Sequence, residues 1–407
     1  MEQIITNTSV GKKITSNVIS ASLLLFFLSF YFAPSPVFKN NIYYLFTILP
    51  SILVFYRLWL KHLISPFTGL IIVFGIYMST TALWPSVPVY KPLYKSLVYL
   101  VALWGLVVAM QIVIENKMSR RNLEWAIGLL VTVATIITVY CAIVMMLERE
   151  NLMVGLDELI NAKLRLRNHV THTHPNELAW LNGAVALIAV NSIRSVNIRW
   201  QQVLLMIATA ILFSSVFLTQ SRGALLASIV TLAIYILLRQ NRKVWIAYGV
   251  LVLIVASLWV YTDFSYFQKL FDRADAGRFG IYETVLNVIK GNEILGVGIL
   301  ADTILIFKGH THPHSMFMST LMMGGIVGFV MMIGLVVIAW WNAISLAFKY
   351  EWYWGVILVP FSTICLLFDG YKTIGHPRID WLLFWFPIIL VAIYASRFKI
   401  KASQSQV

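Results

Sequence analysis

The sequence predicts an all-α polytopic membrane protein, a single integral membrane domain over residues 1–407 with about twelve transmembrane helices. Three observations carry that expectation. Apolar residues make up 59% of the chain and charged ones only 12%, and the mean hydropathy of +0.81 lies far above that of soluble globular chains. The apolar residues fall in runs of about the 20 residues that a hydrocarbon layer of roughly 30 Å demands. The charges sit between the runs.

In chain order the expected spans are Val18–Ala33, Ile42–Leu60, Pro66–Trp84, Leu93–Ile114, Leu123–Leu147, Asn176–Ile193, Trp200–Leu218, Arg222–Leu238, Val244–Tyr261, Gly325–Phe348, Tyr353–Asp369 and Trp381–Ala395. Lys61 divides the second from the third. Lys117, Arg120 and Arg121 precede the fifth, Arg194 and Arg199 the seventh, Arg239, Arg242 and Lys243 the ninth, and Lys349 the eleventh. With Lys12 and Lys13 at one terminus and Arg397, Lys399 and Lys401 at the other, these short basic connections place both termini in the cytoplasm by the positive-inside rule. The same rule accounts for much of the net charge of +14, so nucleic acid is not an expected partner; no nucleic-acid motif is present. The first run lacks a small-residue cleavage site and reads as an anchor, not a removable leader. Cys141 and Cys365 fall inside spans, where they read as small apolar packing residues.

Two connections on the outer side are too long for tight turns and are therefore functional candidates, residues 148–175 and 262–313. Every histidine except His62 lies outside. Three descending helices begin there with polar signatures: His172-Thr173-His174-Pro175-Asn176, Gln220-Ser221-Arg222-Gly223, and His310-Thr311-His312-Pro313-His314-Ser315. Proline is a helix-start signal, and free backbone N–H groups at the positive end of a helix dipole attract anions. In the second long connection Arg278, Tyr282, Val285 and Ile289 follow helical spacing, which predicts a short helix with Arg278 and Tyr282 on one side. A guanidinium fork matches phosphate oxygens better than an ammonium, so Arg222 and Arg278 are the expected diphosphate ligands. The competing reading of a helix-end arginine is snorkelling to lipid headgroups. The His-x-His pairs suit zinc or copper, but with no outer cysteine or evident carboxylate to complete the set, the expectation is no metal and no cofactor. Gly296-Val297-Gly298 lacks a preceding strand or a Gly-Lys-Ser continuation and reads as a turn.

Thr219-Gln220-Ser221-Arg222-Gly223-Ala224, then Gly277-Arg278 through Ile289, then His312-Pro313-His314-Ser315-Met316-Phe317 leading to Gly325-Ile326-Val327-Gly328, resemble in order and spacing the O-antigen ligase family, bacterial enzymes related to the O-antigen polymerases. Two departures stand out. Ser315 occupies a position usually Asn in the family, and His174-Pro175-Asn176 replaces Asn-Pro-Asn. The resemblance implies a glycosyltransferase C-like architecture in the bacterial inner membrane. It also implies transfer, on the periplasmic face, of a polysaccharide from undecaprenyl diphosphate to a sugar hydroxyl of lipid A core, with inversion at the anomeric centre.

Such chemistry needs an anion cradle for the leaving diphosphate and a base for the acceptor hydroxyl. Arg222 and Arg278 are expected to hold the diphosphate. His314, in the first turn of the tenth span, is the first candidate base and His312 the second; Asn176, His174, Tyr282 and Gln220 are candidate substrate contacts. Lys163, Arg165 and Arg167 would suit phosphates of an acceptor core. An O-antigen polymerase performs the same chemistry with a second lipid-linked glycan as acceptor. A secondary transporter would instead show midplane charges and two related halves with broken helices, neither of which the sequence displays.

Overall fold

The computed structural model describes residues 2–52, 65–84, 93–115, 120–149, 151–160, 164–171, 173–239, 278–300 and 312–404, and, singly, residues 246, 249, 253 and 257. Among the described residues the regular structure is helical, with one isolated antiparallel bridge between Asn168 and Thr173. The helices are α1 (Glu2–Phe32), α2 (Pro36–Ile42, continuing as a π-helix over Tyr43–Ile48), α3 (Pro66–Thr80), α4 (Tyr94–Glu115), α5 (Arg120–Leu147), α6 (Leu152–Ile160) and α7 (Pro175–Ser192). They continue as α8 (Arg199–Leu218), α9 (Arg222–Arg239), α10 (Arg278–Val288), α11 (Met316–Tyr350), α12 (Trp354–Phe368) and α13 (Ile379–Gln404).

Seven helices among the described residues are long and apolar enough to cross a membrane: α3 with its 3-10 extension to Leu83, α4, α5, α8, α9, α11 and α13. Residues Asn17–Phe32 of α1 and all of α12 are shorter apolar helices. The protein is a polytopic, all-helical membrane protein. The expected span Ile42–Leu60 is described as far as residue 52, and Val244–Tyr261 lies almost wholly outside the described residues. Each of the other expected spans falls on a helix. The two long connections each contain a short helix, α6 and α10.

α12 sits at the centre of the bundle, packed against α7, α9, α11 and α13. At 15 residues it is only about 22 Å long, less than a hydrocarbon layer of roughly 30 Å. The chain beyond it runs as irregular backbone, most of it buried, before α13 begins at Ile379. Non-helical backbone deep in such a bundle has to be satisfied by protein groups. The Tyr371 N–H donates to Asp380 Oδ2 at 2.8 Å, and the Thr373 carbonyl accepts from Trp385 Nε1 at 2.6 Å.

α11 breaks at Gly325, which has φ 62° and ψ −165°, a conformation essentially restricted to glycine. The turn before it in sequence order, residues 293–298, fills the break. Val297 and Gly298 donate to the carbonyls of Met322 and Met323 at 2.9 and 3.0 Å, while Ile326 and Val327 donate to the carbonyls of Glu293 and Ile294 at 2.8 and 3.3 Å. Tyr77 from α3 donates its hydroxyl to the Gly324 carbonyl at 2.6 Å. The backbones approach so closely that a Cβ on Gly325 would strike the Ile294 carbonyl, and one on Gly296 would strike the Gly325 nitrogen. The expected turn at Gly296-Val297-Gly298 is thus a plug in a broken helix. The helix also starts at Met316, before the expected start of the tenth span at Gly325.

One buried polar node ties four helices together. Asn182 of α7 accepts from the Tyr31 hydroxyl at 3.0 Å and donates to Thr138 at 2.9 Å and Ser215 at 2.7 Å, tying α1, α5 and α8 to α7. Such interhelical bonds are worth about 0.6 kcal/mol each in lipid and carry register. Replacement Gly325→Ala should cost about 2 kcal/mol or more, since it combines an unfavourable φ with a backbone clash. Lower thermal stability of the purified variant in detergent would show it, and an unchanged melting curve would refute the plug.

Candidate functional site

The helix ends at one end of the bundle converge on Asp369, the residue immediately after α12. Three elements supply its partners. Asn176, in the first turn of α7, donates its Nδ2 to Asp369 Oδ2 at 2.8 Å. His314, just ahead of α11, places Nδ1 3.2 Å from Asp369 Oδ1. The Gly370 N–H donates to the same oxygen at 2.9 Å. Burial alone would push this carboxyl up; the bonds from His314, Asn176 and Gly370 outweigh it and hold the group well below the usual carboxylate range.

His314 does not lie in the first turn of a helix. Ser315 is the N-cap of α11, its hydroxyl accepting from the Met318 N–H at 3.4 Å, and Pro313 precedes the cap. His314 stands before that cap at φ 51°, in the left-handed region. That conformation is costly for a residue with a Cβ, and strain of this kind gathers at functional sites. The carboxylate at Nδ1 holds the ring in one orientation. His312 stacks beside it, ring centroids 4.0 Å apart, and meets Tyr371 edge-on at 5.4 Å.

The other expected residues fall into two groups. Arg278 opens α10 and lies over the Phe368 ring at 5.5 Å from its centroid. Arg222 opens α9, and the next residue, Gly223, brings that helix against Phe368, where a Cβ would sit 3.2 Å from the Phe368 Cβ. Both arginines therefore begin helices gathered around the residue that precedes Asp369. α10 buries Ile281 and Val285, and Ile289 is buried just past its end; Tyr282 hydrogen-bonds Ser315, the cap that follows His314. Burial raises the Tyr282 hydroxyl against the pull of Arg278.

His174 and Gln220 do structural work. His174 is the N-cap of α7, its Nδ1 accepting from the Asn176 N–H at 3.2 Å, with Pro175 in first position. Gln220, at φ 56°, donates through Nε2 to the Leu164 carbonyl. It thereby pins a strap, residues 164–168, across the end of α8, where Leu166 donates to the Leu218 carbonyl at 3.0 Å. Buried Asn168 anchors the far end of the strap by donating to the Tyr31 carbonyl at 3.1 Å. His172 and Lys163 lie outside the described residues.

The strap delivers Arg165. Its Nε donates to the Thr219 carbonyl at 3.0 Å and its Nη2 to Asn176 Oδ1 at 3.0 Å. A continuous chain results, Arg165 to Asn176 to Asp369 to His314. In the sequence Asp369 is only the last residue of an apolar span. The available signal was a carboxylate kept at the end of an apolar run just before a glycine.

Donor atoms of His312, His314 and Asp369 lie within 4.8 Å of one another and could hold a divalent cation. The carboxylate beside the outer histidines is thus Asp369, distant from them in sequence.

The family model described as O-antigen ligase matches residues 207–333. That segment is similar to the O-antigen ligase family. The match runs from α8 into α11 and takes in Gln220, Arg222, Arg278, Tyr282, His312 and His314; Arg165, Asn176 and Asp369 lie beyond it. No curated protein matches the chain. The match supports ligase-type or polymerase-type function in general.

Because the folded-state value of Asp369 is depressed, its ionisation stabilises the protein above about pH 4, the ordinary carboxylate value. That contribution is lost as pH falls below that range toward the folded value. The variant Asp369→Asn should therefore show a shallower loss of stability between about pH 4 and pH 2. Parallel acid titrations of wild type and variant would contradict the assignment.

Proposed function

We propose that the chain is an O-antigen ligase of the bacterial inner membrane. On this reading it transfers a polysaccharide from undecaprenyl diphosphate to a sugar hydroxyl of lipid A core, with the site facing the periplasm, both termini in the cytoplasm and a glycosyltransferase C-like bundle of about twelve spans. The single observation that carries the reading is the pairing of His314 Nδ1 with Asp369 at 3.2 Å inside a family whose segment supplies Arg222 and Arg278.

The acceptor hydroxyl oxygen attacks the anomeric carbon as the bond from that carbon to the diphosphate oxygen breaks, so a single displacement inverts the centre. The hydroxyl proton passes to His314 Nε2. Asp369 fixes the tautomer and orientation of the ring and stabilises the imidazolium that forms. The electron pair leaves with the diphosphate, whose growing charge Arg222 and Arg278 receive. Guanidinium forks suit that task because they bind phosphate oxygens in pairs and stay charged. A diphosphate leaves readily without a general acid. The arginines supply the positive charge, so the reaction on this reading proceeds without a metal ion.

The test is reconstitution of purified protein with undecaprenyl-diphosphate-linked polysaccharide and lipid A core, reading by gel and mass which lipid carries product. Polymer on lipid A core supports the ligase reading; longer chains still on undecaprenyl diphosphate would make the chain a polymerase. His314→Ala and Arg222→Ala should each lower turnover by about a hundredfold or more without loss of folded protein. Activity that persists in His314→Ala removes it as the base. Chelator treatment should leave the rate unchanged, and inhibition reversed by one added metal would move His312, His314 and Asp369 into a metal site.

A further inference from the structure

The segment between Asp369 and α13 carries a second set of charges that the displacement does not use. Arg378 immediately precedes α13, and its carbonyl accepts from the Leu382 N–H at 2.9 Å, so its backbone is fixed by the start of that helix. The side chain reaches two carboxylates. Nη2 lies 3.4 Å from Glu177 Oε1 and Nε lies 3.5 Å from Asp380 Oδ1. Glu177 follows Asn176 in the first turn of α7. Asp380 is buried in the first turn of α13, where its Oδ2 also accepts from the Tyr371 N–H at 2.8 Å. Lys39 on α2, seated over the Phe30 ring at 4.3 Å from its centroid, turns a further positive charge toward Glu177 and Asp380.

Both ends of this clamp lead to the base. Asp369 is held at Oδ2 by Asn176 of α7, and at Oδ1 by the Gly370 N–H beside His314. Asn176 stands next to Glu177, and Gly370 stands next to Tyr371, whose backbone Asp380 pins. Arg378 therefore joins the two elements that grip Asp369 from either side. It also lies over the Tyr371 ring at 5.7 Å from its centroid; that ring meets His312, which stacks on His314. We propose that Arg378 is a positioning residue for the transfer reaction. By clamping Glu177 to Asp380, it keeps α7 and the 369–371 backbone at the separation at which Asp369 accepts from both and still faces His314 Nδ1. The inference rests on the reading of His314 as the base. Hydrogen bonds weaken steeply with angle, and a misplacement of about 1 Å in a reacting group can cost about a hundredfold in rate. A planar guanidinium meets two carboxylates on different elements at once, which a point-charge ammonium does less well. The Arg378 side chain is half exposed, and exposed ion pairs add little to stability, so the clamp acts on the geometry of the site and not on whether the bundle folds.

In the purified full chain, Arg378→Gln should lower kcat about tenfold and leave both the donor and the acceptor KM as in wild type, with an unchanged melting curve. Arg378→Lys, which keeps the charge and loses the fork, should show the same effect in smaller measure and carries the test alone if the glutamine variant does not fold. Glu177→Gln should lower kcat to a similar degree. The double variant should fall no further than either single one, since both open the same clamp. A rise in KM with kcat preserved would make Arg378 a substrate contact, and additive losses would separate it from Glu177; either overturns the proposal. The His314 ring supplies a readout independent of turnover. With isotope-labelled histidine, the Nδ1–H proton of His314, assigned by its disappearance in His314→Ala, should resonate far downfield in wild type because it donates to a carboxylate, and should move upfield in Arg378→Gln. An unmoved resonance overturns the clamp whatever the rate does. A resonance that moves in a protein that transfers no saccharide upholds the clamp and sinks the transfer reading. Transfer with an unmoved resonance does the reverse.

Discussion

A carboxylate among apolar helices has to be matched on all sides, and Asp369 is matched by groups from three separate elements: Asn176 on α7, His314 ahead of α11, and its own following amide. An unmatched charge in such surroundings would be far costlier than any one of these bonds contributes. The packing therefore has to deliver all three partners together. α7 and α11 both pack on α12, which carries Asp369 at its end, so the central position of α12 is what makes the constellation possible. Arg165 extends the same logic one step outward. It donates to Asn176 Oδ1 while Asn176 Nδ2 donates to Asp369, so both ends of the amide are held.

The chain reaches this arrangement by breaking helices where an ordinary spanning helix would continue. α12 stops short, α11 is interrupted at Gly325, and Gln220 and His314 both adopt left-handed backbone ahead of a serine and a helix start. Each break frees backbone groups, and each is repaired by a specific neighbour. The carbonyls of Met322 and Met323 are taken by residues 297 and 298, and the Leu164 carbonyl by the Gln220 side chain. Lys372 is buried and donates Nζ to the Ile299 carbonyl at 2.6 Å, which ties the plug to the segment that follows Asp369. The site and the plug thus share one irregular stretch of chain.

Much of this was legible in the residues. Apolar runs placed the helices because lipid demands length and composition together, and the spacing of Arg278, Tyr282, Val285 and Ile289 marked α10, with Val285 buried on it and Ile289 buried just past its end. Pro175 marked the start of α7 for the expected reason. Pro313 misled, because a cap serine two positions later moved the helix start and left His314 outside it. Asp369 and the role of the Gly296 turn were hidden for a common physical reason. Both depend on contacts between positions far apart in sequence, Asp369 with Asn176 and Gly296 with Gly325, and periodicity reports only what lies within one element. Gln220 is the converse: its polar character is plain in the sequence, but only the strap shows that it holds backbone.

The same three donors that support a base could also hold a cation, and the hydrogen bonds indicate which use the geometry favours. Asp369 Oδ1 already accepts from the Gly370 amide and faces His314 Nδ1, while Oδ2 accepts from Asn176. A metal ion bound between His314 and Asp369 would have to take the nitrogen lone pair in place of the N–H, and would compete with an amide for the oxygen. Its charge would also stand close to Arg165, which is bonded to Asn176. A base needs none of those exchanges. It requires a ring held at Nδ1, with a fixed negative charge behind it to receive the proton's positive charge. The bonds around Asp369 are already arranged for that, which is why the reading that assigns His314 a proton is the more economical of the two.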